Sequence, residues 1–482
     1  MRKWSSLKLI SVMVLVLSFS CKSIPHTLEG KPDIENHFPS LIPLPRTISE
    51  GQGFYVIPDE NIICYSEGSA IAATWLRELL RKAGKNSVPT LGISCGNWNL
   101  NIDNDLAEVL GEEGYILDVT GEGVSITGAT EAGLFYGIQT LRQFFPPEIE
   151  QKLSTHSVIP LHFVYIEDKP TFSWRGTMVD VARNFFGIDV LKRHIDKMAM
   201  YKMNRLHLHL TDDQGWRIEI KGWPKLTEIG SQGTVLNGQS GFLTQEEYKE
   251  LQDYALARNI MIIPEIDLPG HIYAALASYP ELNCDNNTNI EPKRATPPEM
   301  FRGHEVGWSK LCLDKPEIYQ FVGDVIEELA KITEGPWIHI GGDEIEDPRY
   351  KDFVVKADSI VRANGKTSIG WEEVSAAEVD PSLISQQWHG KTDAVVEVKI
   401  IKSICTSFYL DHANVPGQET TNNWCKEDGV SLKDVYTFTA EGENVLGVEA
   451  PVWTENVWDE NTLEDRFWPR VIVAAEVGWT TP

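Results

Sequence analysis

Trp337-Ile338-His339-Ile340-Gly341-Gly342-Asp343-Glu344 begins as a short apolar run, breaks at two glycines and ends on adjacent carboxylates. A buried strand that stops at Gly-Gly can turn sharply and lift polar side chains to the rim of a sheet. Read alone, the stretch fits equally well a strand end that runs into a solvated acidic turn, because Glu346 and Asp347 follow directly. The rest of the chain decides between the two.

From Thr171 onward strand-like and helix-like stretches alternate, the pattern of parallel βα units. Strands are expected at 174–181, 205–210, 260–266, in the stretch above, and at 368–371, 383–388, 403–410 and 445–453. Helical spacing marks 189–203, 244–258 and 316–332; Ile318, Phe321, Val322, Val325 and Leu329 share one face of the last. Eight strands over 169–482 predict a (β/α)8 TIM barrel, a fold whose chemistry sits at the C-terminal strand ends. In order, those ends carry Arg183; Asp212 and Asp213; Asp267 and His271; Asp343 and Glu344; Trp371 and Glu372; Trp388; Tyr409 and Asp411; Trp453 and Glu455. Any one of these is ordinary. Polar or indole groups at all eight ends argue for a site.

Residues 41–168 read as a small α/β domain ahead of the barrel. A helix over 69–83 carries Ile71, Trp75, Leu79 and Leu80 at helical spacing, and 115–119 and 124–127 flank Thr120-Gly121-Glu122-Gly123 as a hairpin. A second helix over 130–144 stops at Pro146-Pro147. This domain offers no catalytic constellation and reads as scaffold. Residues 1–20 set Arg2, Lys3 and Lys8 around an apolar run at 9–19, a secretory signal too short to span a membrane comfortably. The run ends Leu17-Ser18-Phe19-Ser20-Cys21, which resembles a bacterial lipobox with Cys21 as the lipidated residue. With 21–40 as a tether, the expectation is an exported bacterial lipoprotein, anchored to a membrane at the periplasmic or outer cell face.

The 482 residues carry a net charge of −27, which argues against nucleic acid, because a phosphate backbone demands basic patches. The acidity reads as solubility. Six further cysteines, Cys64, Cys95, Cys284, Cys312, Cys405 and Cys425, allow fifteen pairings in an exported chain. Cys284 with Cys312, closing a long loop, is the favoured single pair. No Cys/His spacing points to structural zinc. Many of the 15 tryptophans fall near expected strand ends, where aromatic faces suit a ligand with flat apolar faces.

The rim holds carboxylates, indoles, a phenol and an arginine, with no serine or cysteine nucleophile beside a base, so the usual acyl-transfer sites are excluded. Carboxylates with aromatics suit glycoside cleavage, in which an acid protonates the leaving oxygen while charge develops at the anomeric carbon. Asp343 and Glu344 spring from one origin and cannot straddle a sugar ring as acid and nucleophile. They can do two different jobs on one substrate.

Four segments make the reading specific: 175–183, His207-Leu208-His209-Leu210-Thr211-Asp212-Asp213-Gln214-Gly215-Trp216-Arg217, Pro264-Glu265-Ile266-Asp267-Leu268-Pro269-Gly270-His271, and 339–344. In this order they resemble the β-N-acetylhexosaminidases of glycoside hydrolase family 20, and the similarity runs from 41 to the end. The resemblance implies an exo-acting enzyme that releases terminal GlcNAc or GalNAc from glycans. It implies retention through the substrate's own acetamido oxygen and an oxazolinium intermediate, with neither cofactor nor metal. It implies Glu344 as general acid and then base, Asp343 as the partner of the acetamide N–H, and Tyr409 as donor to the acetamide oxygen. Trp371, Trp388 and Trp453 would wall the sugar, Trp424 would add a stacking face, and Arg183, Asp411 and Glu455 would bind hydroxyls. Asp212 and His271 would relay towards Glu344, with Asp267 nearby. Asn184 departs from the family's usual histidine.

Two other readings stay open. His207 and His209 share one strand face and with an aspartate could ligate a catalytic metal, although satisfied interior histidines fit the same pattern. A surface glycan-binding lipoprotein without turnover is the other. Arg175, Trp216 and Trp337 read as structural.

Overall fold

The computed structural model describes residues 38–480 apart from 151–157, 237, 291–294, 391–393 and 419–422. The leader, Cys21 and most of the tether therefore lie outside the described residues. The N-terminal domain is a seven-stranded sheet of β1 (Thr47–Val56), β2 (Glu60–Tyr65), β3 (Asn86–Leu91), β4 (Trp98–Ile102), β5 (Tyr115–Thr120), β6 (Gly123–Gly128) and β7 (Pro160–Asp168). Their spatial order is β1-β7-β5-β6-β4-β2-β3. β5 and β6 form the expected hairpin, antiparallel with Thr120 opposite Gly123. Helices Ala70–Lys82 and Glu131–Arg142 accompany the sheet. On the first, Ala72, Leu76, Leu79 and Leu80 are buried; Ile71, expected inward, is 52% exposed. The buried stripe starts one residue later than the apolar pattern suggests, because two small alanines sit on it.

Eight parallel strands close into a barrel: Trp174–Asp180, Arg205–His209, Met261–Glu265, Trp337–His339, Thr367–Trp371, Ile384–Gln387, Lys399–Lys402 and Val445–Val452. The last pairs with the first in parallel from Gly447 opposite Trp174 to Val452 opposite Val179. The seventh strand is a correction. The expected 403–410 is not a strand: Lys399–Lys402 takes the place in the sheet, and Cys405–Phe408 is a helical turn. Two isoleucines between lysines make a weak strand signal, while the more apolar run after them belongs to the loop at the rim. The fourth strand is also shorter than its apolar run and ends at His339.

Three disulfides pair Cys64 with Cys95, Cys284 with Cys312, and Cys405 with Cys425. The second is the pair favoured from sequence. The third ties the turn that carries Tyr409 to the loop that carries Trp424.

Buried polar contacts lock the two domains together. Asp168, at the end of β7, accepts from Tyr115 Oη at 2.6 Å, from Lys202 Nζ at 3.0 Å and from Trp479 Nε1 at 3.0 Å. Arg175 pairs with Glu113 at 2.8 Å across the same junction, the structural role expected for it. Removing one member of a buried pair leaves the other charge uncompensated. Asp168→Ala is therefore expected to destabilise the protein by about 3–5 kcal/mol. Denaturant unfolding measures this, and an unchanged midpoint would refute it.

Candidate active site

The end of the fourth strand is shaped by close approach. Gly341 and Gly342 have φ of 65° and 103°, and a Cβ on Gly341 would stand 1.8 Å from Asp267 Oδ1. Only glycine lets the chain pass this carboxyl. Gly342 N donates to the same oxygen at 3.2 Å, and Tyr350 Oη donates to Gly342 O at 2.5 Å. Two residues on, Glu344 itself is left-handed at φ 56°, a conformation that costs a non-glycine residue energy and clusters at functional sites. The turn gives the adjacent acids different surroundings: the side chain of Asp343 is 14% exposed and that of Glu344 35%.

Both face a cavity of about 370 Å³ at the C-terminal mouth of the barrel. Trp371 and Trp453 form one wall with ring centres 5.7 Å apart. Trp388 and Tyr409 stand nearly parallel, 12° between planes, as the other. Carboxylates hold two of the indoles: Trp371 Nε1 donates to Glu265 Oε1 at 2.9 Å and Trp388 Nε1 to Glu373 Oε2 at 3.2 Å. Trp424 is half exposed at the mouth, edge-on to Trp388 and Tyr409. Arg183 and Glu455 line the same cavity with Nη2 and Oε1 3.8 Å apart, and the Arg183 guanidinium lies over Trp453. Asp411 is brought near but not onto the wall: it is buried beside Tyr409 and Glu455, and neither of its oxygens has a hydrogen-bond partner.

The relay residues lie in the expected order, at a reach longer than hydrogen bonds. His271 Nδ1 is 3.6 Å from Asp212 Oδ1, and its Nε2 is 3.4 Å from Glu344 Oε2 and 3.7 Å from Asp343 Oδ2. These are ion-pair contacts longer than good hydrogen bonds. Asp212 is already engaged elsewhere: Oδ2 meets Arg183 Nη2 at 2.8 Å and His209 Nε2 at 2.8 Å, and Oδ1 accepts from Asp213 N at 2.6 Å.

The charges sort themselves accordingly. Burial alone would lower His271, but Asp212 and Asp343 outweigh it and hold the imidazole well above its usual range. The His271 contact keeps Glu344 below the ordinary Glu value despite partial burial. Burial pushes Asp343 up to about 6, with His271 pulling against it and Glu344 adding to it. Burial and then the charge of Asp343 raise the Asp267 carboxyl well above its ordinary value. Burial also raises Tyr409, with Asp343 and Asp411 adding to it, which keeps it a phenol that can donate.

Below the rim the barrel interior is polar. His207 Nδ1 lies 2.9 Å from Glu449 Oε1 and its Nε2 3.0 Å from Glu265 Oε2, while His209 bridges Glu265 at 2.5 Å and Asp212 at 2.8 Å. His339 Nδ1 accepts from Gly341 N at 3.0 Å. These groups are close enough together for a metal; His209 is hydrogen-bonded at both nitrogens and His207 at Nδ1, whereas His339 Nε2 has no hydrogen-bond partner. Asn184 replaces the family's histidine without loosening the site: it donates to Thr454 O at 2.8 Å and Val457 O at 3.1 Å and accepts from Thr234 Oγ1 at 2.8 Å, clamping the eighth strand end.

Sequence reading missed Glu265, Glu373 and Glu449, and also His304, Glu305 and Val306, which line the mouth of the cavity. Glu265 and Glu449 were detectable as carboxylates inside apolar strand runs. Nothing in the sequence marks the 304–306 loop.

Comparison with known proteins agrees. The family profile "Glycosyl hydrolase family 20, domain 2" matches residues 38–168, and "Glycosyl hydrolase family 20, catalytic domain" matches 172–352 and 348–482. A beta-hexosaminidase of Porphyromonas gingivalis is 34% identical over 92% of this chain, which spans 60% of that protein's length. A beta-N-acetylhexosaminidase of Cellulomonas fimi is 35% identical, covering 80% of this chain and 77% of its own. The structure of Streptomyces plicatus N-acetyl-beta-hexosaminidase in complex with thio-NAglucal superposes with a TM-score of 0.84 at 37% identity, over 92% of this chain and 90% of that one. With both of its domains matched in order, the chain belongs to glycosyl hydrolase family 20.

Proposed function

We propose that the chain is an exo-acting β-N-acetylhexosaminidase that hydrolyses terminal GlcNAc or GalNAc from glycans with retention, the substrate's acetamido group acting as nucleophile. One observation carries the reading: two adjacent carboxylates, one buried and one open, face a slot walled by three indoles and a phenol. The slot is at the small end for a ligand site, roughly 300–1,000 Å³ being usual, and its floor is the packed barrel interior. It suits one sugar ring at a chain end. Relatives that carry this activity in their names, and a Streptomyces plicatus structure holding the product GlcNAc, support the assignment.

The geometry divides the work. Glu344, on the open side, protonates the glycosidic oxygen as the C1–O bond breaks. The acetamido oxygen closes onto C1 from the other face, and an oxazolinium ion forms. Asp343, buried and anionic, accepts the acetamide N–H and offsets the charge growing there. Tyr409 donates to the acetamide oxygen and orients it. Water then adds to C1 as Glu344 takes its proton, and the ring opens to product with its configuration retained. A tethered nucleophile of this kind can supply roughly 7–11 kcal/mol of barrier reduction. Arg183 and Glu455 supply polar contacts for ring hydroxyls.

We also propose that Cys21 anchors the exported chain to a membrane. The lipobox-like residues 17–21 and three disulfides, the mark of an oxidising compartment, support it. Cys21→Ala is expected to move the protein from the membrane pellet to the soluble fraction; unchanged partitioning would end the idea.

Glu344→Gln should cut kcat by about 10²–10⁴-fold on an aryl N-acetylglucosaminide with a poor leaving group. The matching glucoside, with a plain hydroxyl at C2, should be inert even to the parent. A parent that cleaves both alike would overturn acetamide participation. Asp343 must be ionised to work, so kcat/KM should fall as pH drops through about 6, above the ordinary aspartate range. That limb should vanish in Asp343→Asn; a limb that survives the substitution would assign it to another group.

A further inference from the structure

Glu265 is fully buried at the end of the third barrel strand, outside the cavity lining, and the reaction described above gives it no task. Its two oxygens serve different halves of the site. Oε1 accepts from Trp371 Nε1 at 2.9 Å, with His339 Nδ1 at 3.0 Å. Oε2 meets His209 Nδ1 at 2.5 Å and His207 Nε2 at 3.0 Å. Trp371 is a wall of the slot that takes the acetamide. His209 reaches in the other direction, through Nε2 to Asp212 at 2.8 Å, and Asp212 faces His271, which faces Glu344.

We propose that Glu265 is a positioning residue that couples the acetamide wall to the acid: one oxygen fixes the Trp371 indole and the other fixes His209 behind the Asp212–His271–Glu344 line. This rests on the hexosaminidase reading and deepens it. The groups facing Glu265 are His207, His209 and Asp212 from the second strand and its end, Asp267 from its own, His339 and Asp343 from the fourth, and Glu449, which shares His207, from the eighth. Burial alone would raise the Glu265 carboxyl, but the three imidazoles outweigh it and keep it ionised, so both oxygens remain acceptors. Glutamine of the same shape has one acceptor oxygen and one NH2 group. It can satisfy the indole or His209, but it cannot accept from both.

Two readouts separate the arms. Inhibition by N-acetylglucosamine thiazoline reports the acetamide wall. The ratio of kcat/KM for N,N′-diacetylchitobiose to that for the dinitrophenyl N-acetylglucosaminide reports acid assistance, because only the first leaving group needs a proton. In Glu265→Gln, whose one acceptor oxygen can serve only one arm, thiazoline affinity or this ratio should fall roughly tenfold, as expected when a buried charge-assisted hydrogen bond is lost. Trp371→Phe should lower mainly the first, and His209→Gln mainly the second. A folded Glu265→Gln that keeps both quantities within about twofold of the parent overturns the proposal, as does an equal loss on both substrates with thiazoline binding intact. If Glu265→Gln does not fold, the cycle of Trp371→Phe and His209→Gln decides: the hub requires non-additive effects on kcat/KM, and additive losses overturn it. A parent enzyme that ignores thiazoline would take down the hexosaminidase reading and this proposal together. A parent that binds it, with variants that behave like the parent, sinks only the proposal.

Discussion

The site depends on a single close approach: the backbone at Gly341 passes within van der Waals contact of the Asp267 carboxyl, at a distance no side chain permits. That contact, with the Gly342 N–H donating to the same oxygen, bends the chain out of the fourth strand. The bend separates two residues that sequence puts side by side. Asp343 turns towards the buried interior and Glu344 towards the open mouth. Their environments then push the two carboxyls apart in acidity, Asp343 up through burial and Glu344 down through His271.

Below this turn the barrel holds a layer of buried charge beside an apolar cluster of Trp174, Ile263, Ile369, Ile384 and Ile401. From Glu449 the line runs through His207, Glu265, His209 and Asp212 to Arg183, alternating in sign, each step between 2.5 and 3.0 Å. Burial alone would lower His207, but Glu449 and Glu265 outweigh it and hold the ring up to about 9, so the alternation persists across neutral pH. A buried ion pair adds little net stability over packed apolar groups, but breaking one is costly. Its value here is geometric. Trp371 is held by a carboxylate that cannot move without uncovering His209, and Trp388 by Glu373, so the walls of the slot are fixed before any sugar arrives.

Much of this architecture was legible in the sequence. Alternating periodicity yields the barrel, and the rim residues follow because parallel strands present their C-terminal ends together. What failed did so for local reasons. Lys399-Ile400-Ile401-Lys402 is a strand because its neighbours supply the ladder, whereas the more apolar residues beyond it close a turn held by the Cys405–Cys425 disulfide. Ile71 sits beside the buried stripe, not on it. Glu265 and Glu449 advertise themselves as buried carboxylates, but their partners come from other strands, up to 242 residues away for His207 and Glu449. Sequence shows that such a charge needs a partner without showing which one. Asp411 illustrates the converse, since the loop after the seventh strand brings it near the slot but not onto its wall.

The same logic bears on the double duty proposed for Glu344. A group that must give a proton and then take one back works best when its acidity moves during the cycle. In the open cavity, His271 at 3.4 Å and partial solvation favour the carboxylate. A sugar seated between Trp371 and Trp388 covers that carboxyl, removes its water and raises its affinity for a proton, which makes it an acid for the leaving oxygen. Departure of the leaving group reopens the mouth and restores water, so the carboxyl returns to its lower value as a base when the oxazolinium ion waits for hydrolysis. Asp343, more buried from the start, shares less in this swing. Its charge is therefore the steadier of the two for the acetamide in the proposed reaction.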